Sequence, residues 1–214
     1  MFTRQSVIVF AGAPRRNGPP ASETTEVLAK LGYGVGPTLD VEVELPYVRE
    51  VVDGNVTSGR GDAAVAAKWR FYESENGFSM AIKPGVFLPT GRDEIGLGAG
   101  HVRWGASLLG AYELGKVEFI GQVAYVHNRN EIDERVDLWH LSAAVRWSVS
   151  ERLKLVLDVA RESSPDPAEG PANELVVGVT FALRSNIDLG IGLKYGLNDV
   201  ADDRGVRAGI KLRW

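Results

Sequence analysis

The sequence predicts an all-β chain, a transmembrane antiparallel up-and-down β-barrel of twelve strands with long extracellular loops and short periplasmic turns. Three observations lead there. Apolar and polar residues alternate with period two through almost every segment, and helical periodicity is nearly absent. Tight turns alternate with long polar connections, as bacterial outer-membrane barrels are built. Finally, nearly all tryptophans and tyrosines fall in the apolar phase near strand ends.

Composition narrows the alternatives. The 214 residues have a mean hydropathy of -0.08 and no window near 18 consecutive apolar residues, so no transmembrane helix is expected. A β-barrel hides its membrane signal in alternate residues, so average hydropathy says nothing against it. With no cysteine, disulfides, thiol catalysis and Cys-ligated zinc drop out. A net charge of -4 with interspersed signs argues against nucleic acid as a partner. We expect one barrel domain over residues 1–214, a size that closed sheets commonly reach as a single unit. The run Ser6-Val7-Ile8-Val9-Phe10 is too short for a signal segment, so the expectation is a chain whose export signal has been removed.

The strands follow in order. The first spans 5–11 on that short apolar run, and the second 22–33. The third, 38–48, sets Leu39, Val41, Val43, Leu45 and Tyr47 against Asp40, Glu42 and Glu44. Strands at 62–72, 77–88, 101–113 and 116–128 come next. The eighth, 137–149, carries the stripe Trp139, Leu141, Ala143, Val145, Trp147, Val149, and 152–162 follows. Leu175, Val177, Val179, Phe181 and Leu183 mark 173–184. In 186–197 the odd positions run Ile187 to Leu197 and the even ones are Asp188, Gly190, Gly192, Lys194 and Gly196. The last strand, 204–214, alternates Val206, Ala208, Ile210, Leu212 and Trp214 with Arg207, Gly209, Lys211 and Arg213. Gly34 to Pro37, Glu73 to Asn76, Leu114-Gly115, Ser150-Glu151 and Ser185 are the tight turns. Gly12 to Ala21, Glu50 to Gly61, Pro89 to Gly100, Arg129 to Val136, Ser163 to Ala172 and Asn198 to Asp203 are the long loops.

Soluble barrels alternate too, so the aromatic residues decide which face meets what. Tyr33, Trp69, Tyr112, Trp147 and Trp214 fall at the short-turn end. Tyr47, Trp104, Tyr125, Trp139 and Tyr195 fall at the long-loop end, giving the two girdles expected at membrane interfaces. The opposite phase carries Asp40, Glu42, Glu44, Lys68, Arg70, Lys83, Arg103, Glu118, Arg146, Lys154, Asp158, Lys194, Arg207, Lys211 and Arg213. Buried ions cost several kcal/mol each, so these residues are expected to line a wet lumen and form the solute path.

Candidate chemistry is sparse. His140-Leu141-Ser142 has the His-x-Ser spacing of outer-membrane phospholipases, but the pair falls in the polar phase, away from lipid, and no Asn-Gly follows Ser142. His101 and His127 have no Asp or His at ligand spacing, so neither a metal nor another cofactor is expected. Gly96-Leu97-Gly98-Ala99-Gly100 lacks the following helix of a phosphate loop. Pro46 and Pro84 interrupt strand patterns, and proline cannot donate to a ladder, so bulges or a side opening are expected there.

Two resemblances add to this. Arg207-Ala208-Gly209-Ile210-Lys211-Leu212-Arg213-Trp214 resembles the C-terminal assembly signal of outer-membrane proteins, carried by Gly209, Leu212 and Trp214, which implies the barrel-assembly machinery as a partner. Over roughly 30–214 the chain resembles the MetA-pathway of phenol degradation family of outer-membrane barrels, described as transporters. The likeness rests on Leu31 to Gly34, Glu44-Leu45-Pro46-Tyr47, Gly61-Asp62 with Lys68 to Phe71, Lys83-Pro84-Gly85 with Leu88 to Gly91, and Gly96 to Gly98. Further on it rests on Ser150 to Leu153 and Tyr195 to Asp199. It implies a twelve-stranded barrel in outer-membrane lipid, passing small apolar or aromatic solutes and carrying no catalytic residues. The expectation is therefore a channel in the bacterial outer membrane, and not an enzyme. A lipid-active hydrolase using His140 and Ser142, or a structural or adhesive barrel acting through its loops, is the alternative. Solute identity and oligomeric state stay open. The expected lumen is constricted, with Asp40, Glu42 and Glu44 pairing across it to Arg207, Lys211, Arg213, Lys68 and Arg70, and a bulge at Pro84.

Overall fold

A computed structural model describes residues 5–16, 22–130 and 133–214. Its strands are β1 (Gln5–Arg16), β2 (Ser22–Gly34), β3 (Leu39–Val52), β4 (Asn55–Arg60), β5 (Ala63–Glu73), β6 (Phe78–Leu88) and β7 (Arg103–Leu114). They continue as β8 (Val117–His127), β9 (Asp137–Ser148), β10 (Leu153–Glu162), β11 (Ala172–Arg184), β12 (Ile187–Gly196) and β13 (Arg204–Arg213). A 3-10 turn at Asp93–Ile95 is the other regular element among the described residues.

All strand pairs are antiparallel, each strand beside the next, and the ring closes between β1 and β13. It has twelve positions because β4 and β5 follow one another along a single one. β3 pairs with β5 through Leu39 to Glu44 and with β4 through Tyr47 to Val52. At the seam the last residue meets the first strand: the backbones of Gln5 and Trp214 exchange two hydrogen bonds of 3.1 Å, and the Trp214 indole donates to the Gln5 side chain.

The segment expected as a loop over Glu50 to Gly61 is mostly ladder. β3 runs on to Val52 and turns through Asp53 and Gly54, both at positive φ (50° and 83°), into β4. That is the two-residue turn whose twist matches a β-hairpin, and Asp-Gly is its usual sequence. Between β4 and β5, Gly61 and Asp62 together oppose Pro46: the pairs Tyr47 with Arg60 and Glu44 with Ala64 differ by one residue in register, and the Gly61 N–H reaches the Pro46 carbonyl at 3.0 Å. Proline and bulge thus coincide.

Side-chain burial runs opposite to that of a water-soluble domain. Among the described residues the buried apolar side chains are Ala64, Ala81, Leu97 and Ala201, whereas Val27, Leu45, Leu108, Val123, Leu141, Val179 and Ile191 are exposed. A continuous apolar girth of this kind is stable only against an apolar medium. With its strands hydrogen-bonded edge to edge around a closed ring, a sheet can stand in that medium. The ten aromatic residues assigned to the girdles are all exposed. The remaining tyrosine, Tyr72, joins them, because a register shift between Arg70 and Tyr72 flips its phase and sets its ring against Phe78 at 6.0 Å.

Candidate functional site

Alternation along the strands sends the charged stripe inward, and three cavities open along it. One of about 540 Å³ lies against β9–β13 and is lined by Arg146, Lys154, Arg207, Lys211 and Arg213, with Asp188. A second, of about 400 Å³, is lined by Asp40, Lys68, Arg70, Glu118 and Arg146. The third, of about 320 Å³ toward the long loops, is bordered by His140, Asp158, Glu162, Glu174, Lys194 and Arg207.

The ion pairs run along the wall. Lys30 bridges Glu42 and Glu44 at 2.6 and 3.1 Å, and Lys83 approaches the same two carboxylates at 3.7 Å. Arg146 bonds Glu118 on the neighbouring strand, Lys194 bonds Glu174 and, at 3.1 Å, Asp202, and Arg213 grips Asp188 through both guanidinium ends. The expected pairing of β3 acids with β13 bases is therefore corrected. A twelve-stranded ring is too wide for side chains to meet across it, so the charges that do pair find their partners one or two strands away. Lys30, missed from the sequence, is the nearer of the two cations beside the β3 acids; it stands opposite Glu44 in the ladder.

At the long-loop end, Asp62 organises the mouth. Its side chain is buried and accepts hydrogen bonds from the Gly91 N–H (3.0 Å), the Ala99 N–H (3.0 Å) and Arg103 (3.2 Å). Thr90 Oγ1 caps the first free N–H of β5, Ala63, at 2.8 Å, and Leu97 packs over Gly59. The segment 89–102 is thus folded onto the inner face where β4 gives way to β5. Arg103 continues the network to Asn128, which is 1% exposed and donates to Glu134 and to the Arg135 carbonyl. Arg135 in turn donates to the Ser164 and Glu169 carbonyls, so three loops are tied together.

The wall itself is interrupted at Pro84. β5 and β6 pair from Ala63 with Leu88 to Ala66 with Gly85, lapse at Ala67 and Lys68 opposite Pro84 and Lys83, and resume at Trp69 with Ile82. The register is the same on both sides, so the expected bulge at Pro84 is corrected to a gap without a slip. On its other edge β6 stays paired with β7 through Pro84 and Ala106. Outside the gap lies a hollow of about 480 Å³ lined by Val41, Val65, Ala67, Pro84, Val86 and Trp104, with Ala66, Gly85 and Gly105 as its floor.

His140 and Ser142 both point inward. The His140 Nδ1 lies 2.9 Å from Glu162 Oε2, so a carboxylate on β10 orients the ring. His127 stacks on Trp104 at 5.6 Å, and among the described residues no group of three acidic or histidine side chains is placed to hold a metal ion.

A family model described as "Putative MetA-pathway of phenol degradation" matches residues 21–214. No curated protein sequence matches the chain. The fold is similar to that of an outer membrane channel from Pseudomonas putida F1, with a TM-score of 0.77 and 15% identity over 100% of this chain and 96% of that one. It is also similar to the NanC porin (0.67, 10% identity, 97% and 100% covered) and to the KdgM porin in complex with disordered oligogalacturonate (0.68, 8% identity, 98% and 99% covered). The closed ring is the outer-membrane β-barrel fold.

Proposed function

Since the chain belongs to this phenol-degradation MetA-pathway family, we propose that it is an outer-membrane channel passing small apolar or aromatic solutes, and not an enzyme. The observation that carries the solute class is the gap at Pro84. There the ladder between β5 and β6 lapses for two residues, with an apolar hollow on the lipid side and Lys68 and Lys83 on the inner side, next to the small residues Ala66, Gly85 and Gly105. Polar backbone left open at membrane depth is tolerated where it borders a water-containing cavity. With segment 89–102 folded into the mouth, an apolar solute moves between lipid and lumen through this wall, and ions have no wide path. His140 and Ser142 serve as lumen-lining polar groups.

Uptake of labelled phenol by cells with a lipopolysaccharide outer leaflet tests the reading. Expression of the barrel is expected to raise uptake severalfold, and Ala67→Trp, which fills the hollow from outside, to return it to the level of cells lacking the barrel. Large, steady ion conductance in planar bilayers with no gain in phenol uptake would overturn it.

Trp214 closes the seam with Gln5 and stands in a stretch like an assembly signal, so the same proposal assigns it to recognition by the assembly machinery. Trp214→Ala is expected to lower the folded, heat-modifiable fraction in the outer membrane with synthesis unchanged. An unaltered folded fraction would remove the signal.

A further inference from the structure

From the cavity against β9–β13 we infer that the lumen holds a binding site for an amphiphilic organic anion, a small ring or branched chain carrying one carboxylate. The inference deepens the channel reading and rests on it. Two independent features meet at this place.

The first is shape. The inner face of β11–β13 has no side chains at Gly178, Gly190, Gly192 and Gly209. The ladder sets Gly178 opposite Gly192 and Gly190 opposite Gly209, so they form one contiguous patch. A Cβ at Gly190 would meet nothing closer than 3.8 Å, so the space there is open. Inward-facing Phe10, Val156 and Val176 rim the patch with apolar surface, together with Ile8. The resulting hollow of about 540 Å³ falls within the usual range for small-molecule sites.

The second is charge. Most cations in the lumen are committed to acids: Arg213 to Asp188, Arg146 to Glu118, and Arg207 to Glu174 at 3.5 Å. Lys154 and Lys211, which border the glycine patch on opposite sides, form no salt bridge with any described residue. Lys154 stands opposite Thr180, and Thr180 opposite Gly190. Lys211 stands opposite Asp188, whose carboxylate is already held by Arg213. Lys154 and Lys211 are three strand spacings and two residues apart, roughly 16 Å, a gap that two lysine side chains close onto one carboxylate from either side. Thr180 adds a hydroxyl donor at the same level, and the ring of the ligand lies on the patch against Phe10. A purely inorganic anion would leave that apolar rim unused, and a neutral aromatic would leave the two ammonium groups with only Asp188, which Arg213 already holds, as a nearby opposite charge.

Calorimetric titration of the detergent-solubilised full barrel tests this, with benzoate, its neutral isostere benzamide, and inorganic phosphate as probes. Folding of every variant is checked by heat-modifiability. Benzoate is expected to bind saturably and at least about tenfold more tightly than benzamide or phosphate, the ratio that one charge-assisted hydrogen bond supports. The K154Q/K211Q double variant and Gly190→Leu, which fills the patch, are each expected to lose that binding, and K154Q alone part of it. Lys116→Gln, in an exposed turn, is expected to leave it intact. Equal affinity for benzamide or phosphate, or benzoate affinity unchanged in the folded double variant, would overturn the site. Phenol uptake measured in parallel separates the two readings. Uptake without benzoate binding overturns the site alone, and benzoate binding without uptake upholds the site and overturns the channel.

Discussion

Val179→Arg is expected to destabilise the barrel by about 2–4 kcal/mol, while Thr180→Arg one residue along costs little, because only the first puts a charge into lipid at the bilayer midplane. Val179 lies halfway along β11, exposed on the outer face, between Leu155 and Ile191. Arginine there has no nearby interface to reach and no acid to pair with. Thr180 points the other way, into the cavity beside Gly190, where an added guanidinium finds water and space. Unfolding by urea in lipid vesicles, followed by tryptophan emission, measures both. Equal tolerance at the two positions would mean that the faces have been assigned wrongly.

The assignment of faces was legible in the sequence for a physical reason. A period of two cannot drift along a strand, so once the girdle aromatics fix one phase, every residue between turns is placed. The limits of that logic appear where the ladder is locally irregular. Tyr72 reads as inward, yet the slip between Arg70 and Tyr72 turns it out beside Phe78. A bulge of this kind depends on how β6 meets β5, which one strand's alternation does not encode. The hairpin at Asp53-Gly54 did have a signal, an Asp-Gly pair between runs containing Val51, Val52 and Val56, masked by the polar residues around it. The charged residues share one face of the ring, but their partners differ from those expected. Sequence distance between β3 and β13 says nothing of distance across the lumen, and in the ring Glu42 and Glu44 lie next to Lys30 on β2.

The mouth was the least legible part, and the largest local effect is expected there. Asp62→Ala should release segment 89–102 from the lumen wall. The carboxylate satisfies the Gly91 and Ala99 N–H groups and faces Arg103, so its removal leaves two backbone donors and a partly buried cation without that acceptor. An orphaned buried donor costs about 1–3 kcal/mol, and a charged group left without its partner costs more. A docked loop bears that strain only if it cannot leave. This one can, because the other tethers described for it, which include the Thr90 and Arg92 contacts to Ala63 and Arg60 and the packing of Leu97 on Gly59, are local and lie at the mouth. The strain is therefore relieved by undocking, and the global stability of the barrel changes less than the local sum suggests. The absence of side chains at Gly91 and Gly98 fits the same view: a Cβ at either would lie 2.9 Å from Asp62 Oδ1, so both sites are shaped around the carboxylate. Asp62→Asn, which keeps one acceptor but loses the charge facing Arg103, should undock the loop in part. The readouts are cleavage by an added protease within 89–102 and single-channel conductance. Both are expected to rise in the order wild type, Asp62→Asn, Asp62→Ala, with the heat-modifiable fraction nearly constant. Conductance unchanged in Asp62→Ala, with the loop cleaved, would mean that the segment does not obstruct the lumen and that the narrowing lies deeper, among the wall-bound ion pairs of β2, β3 and β6.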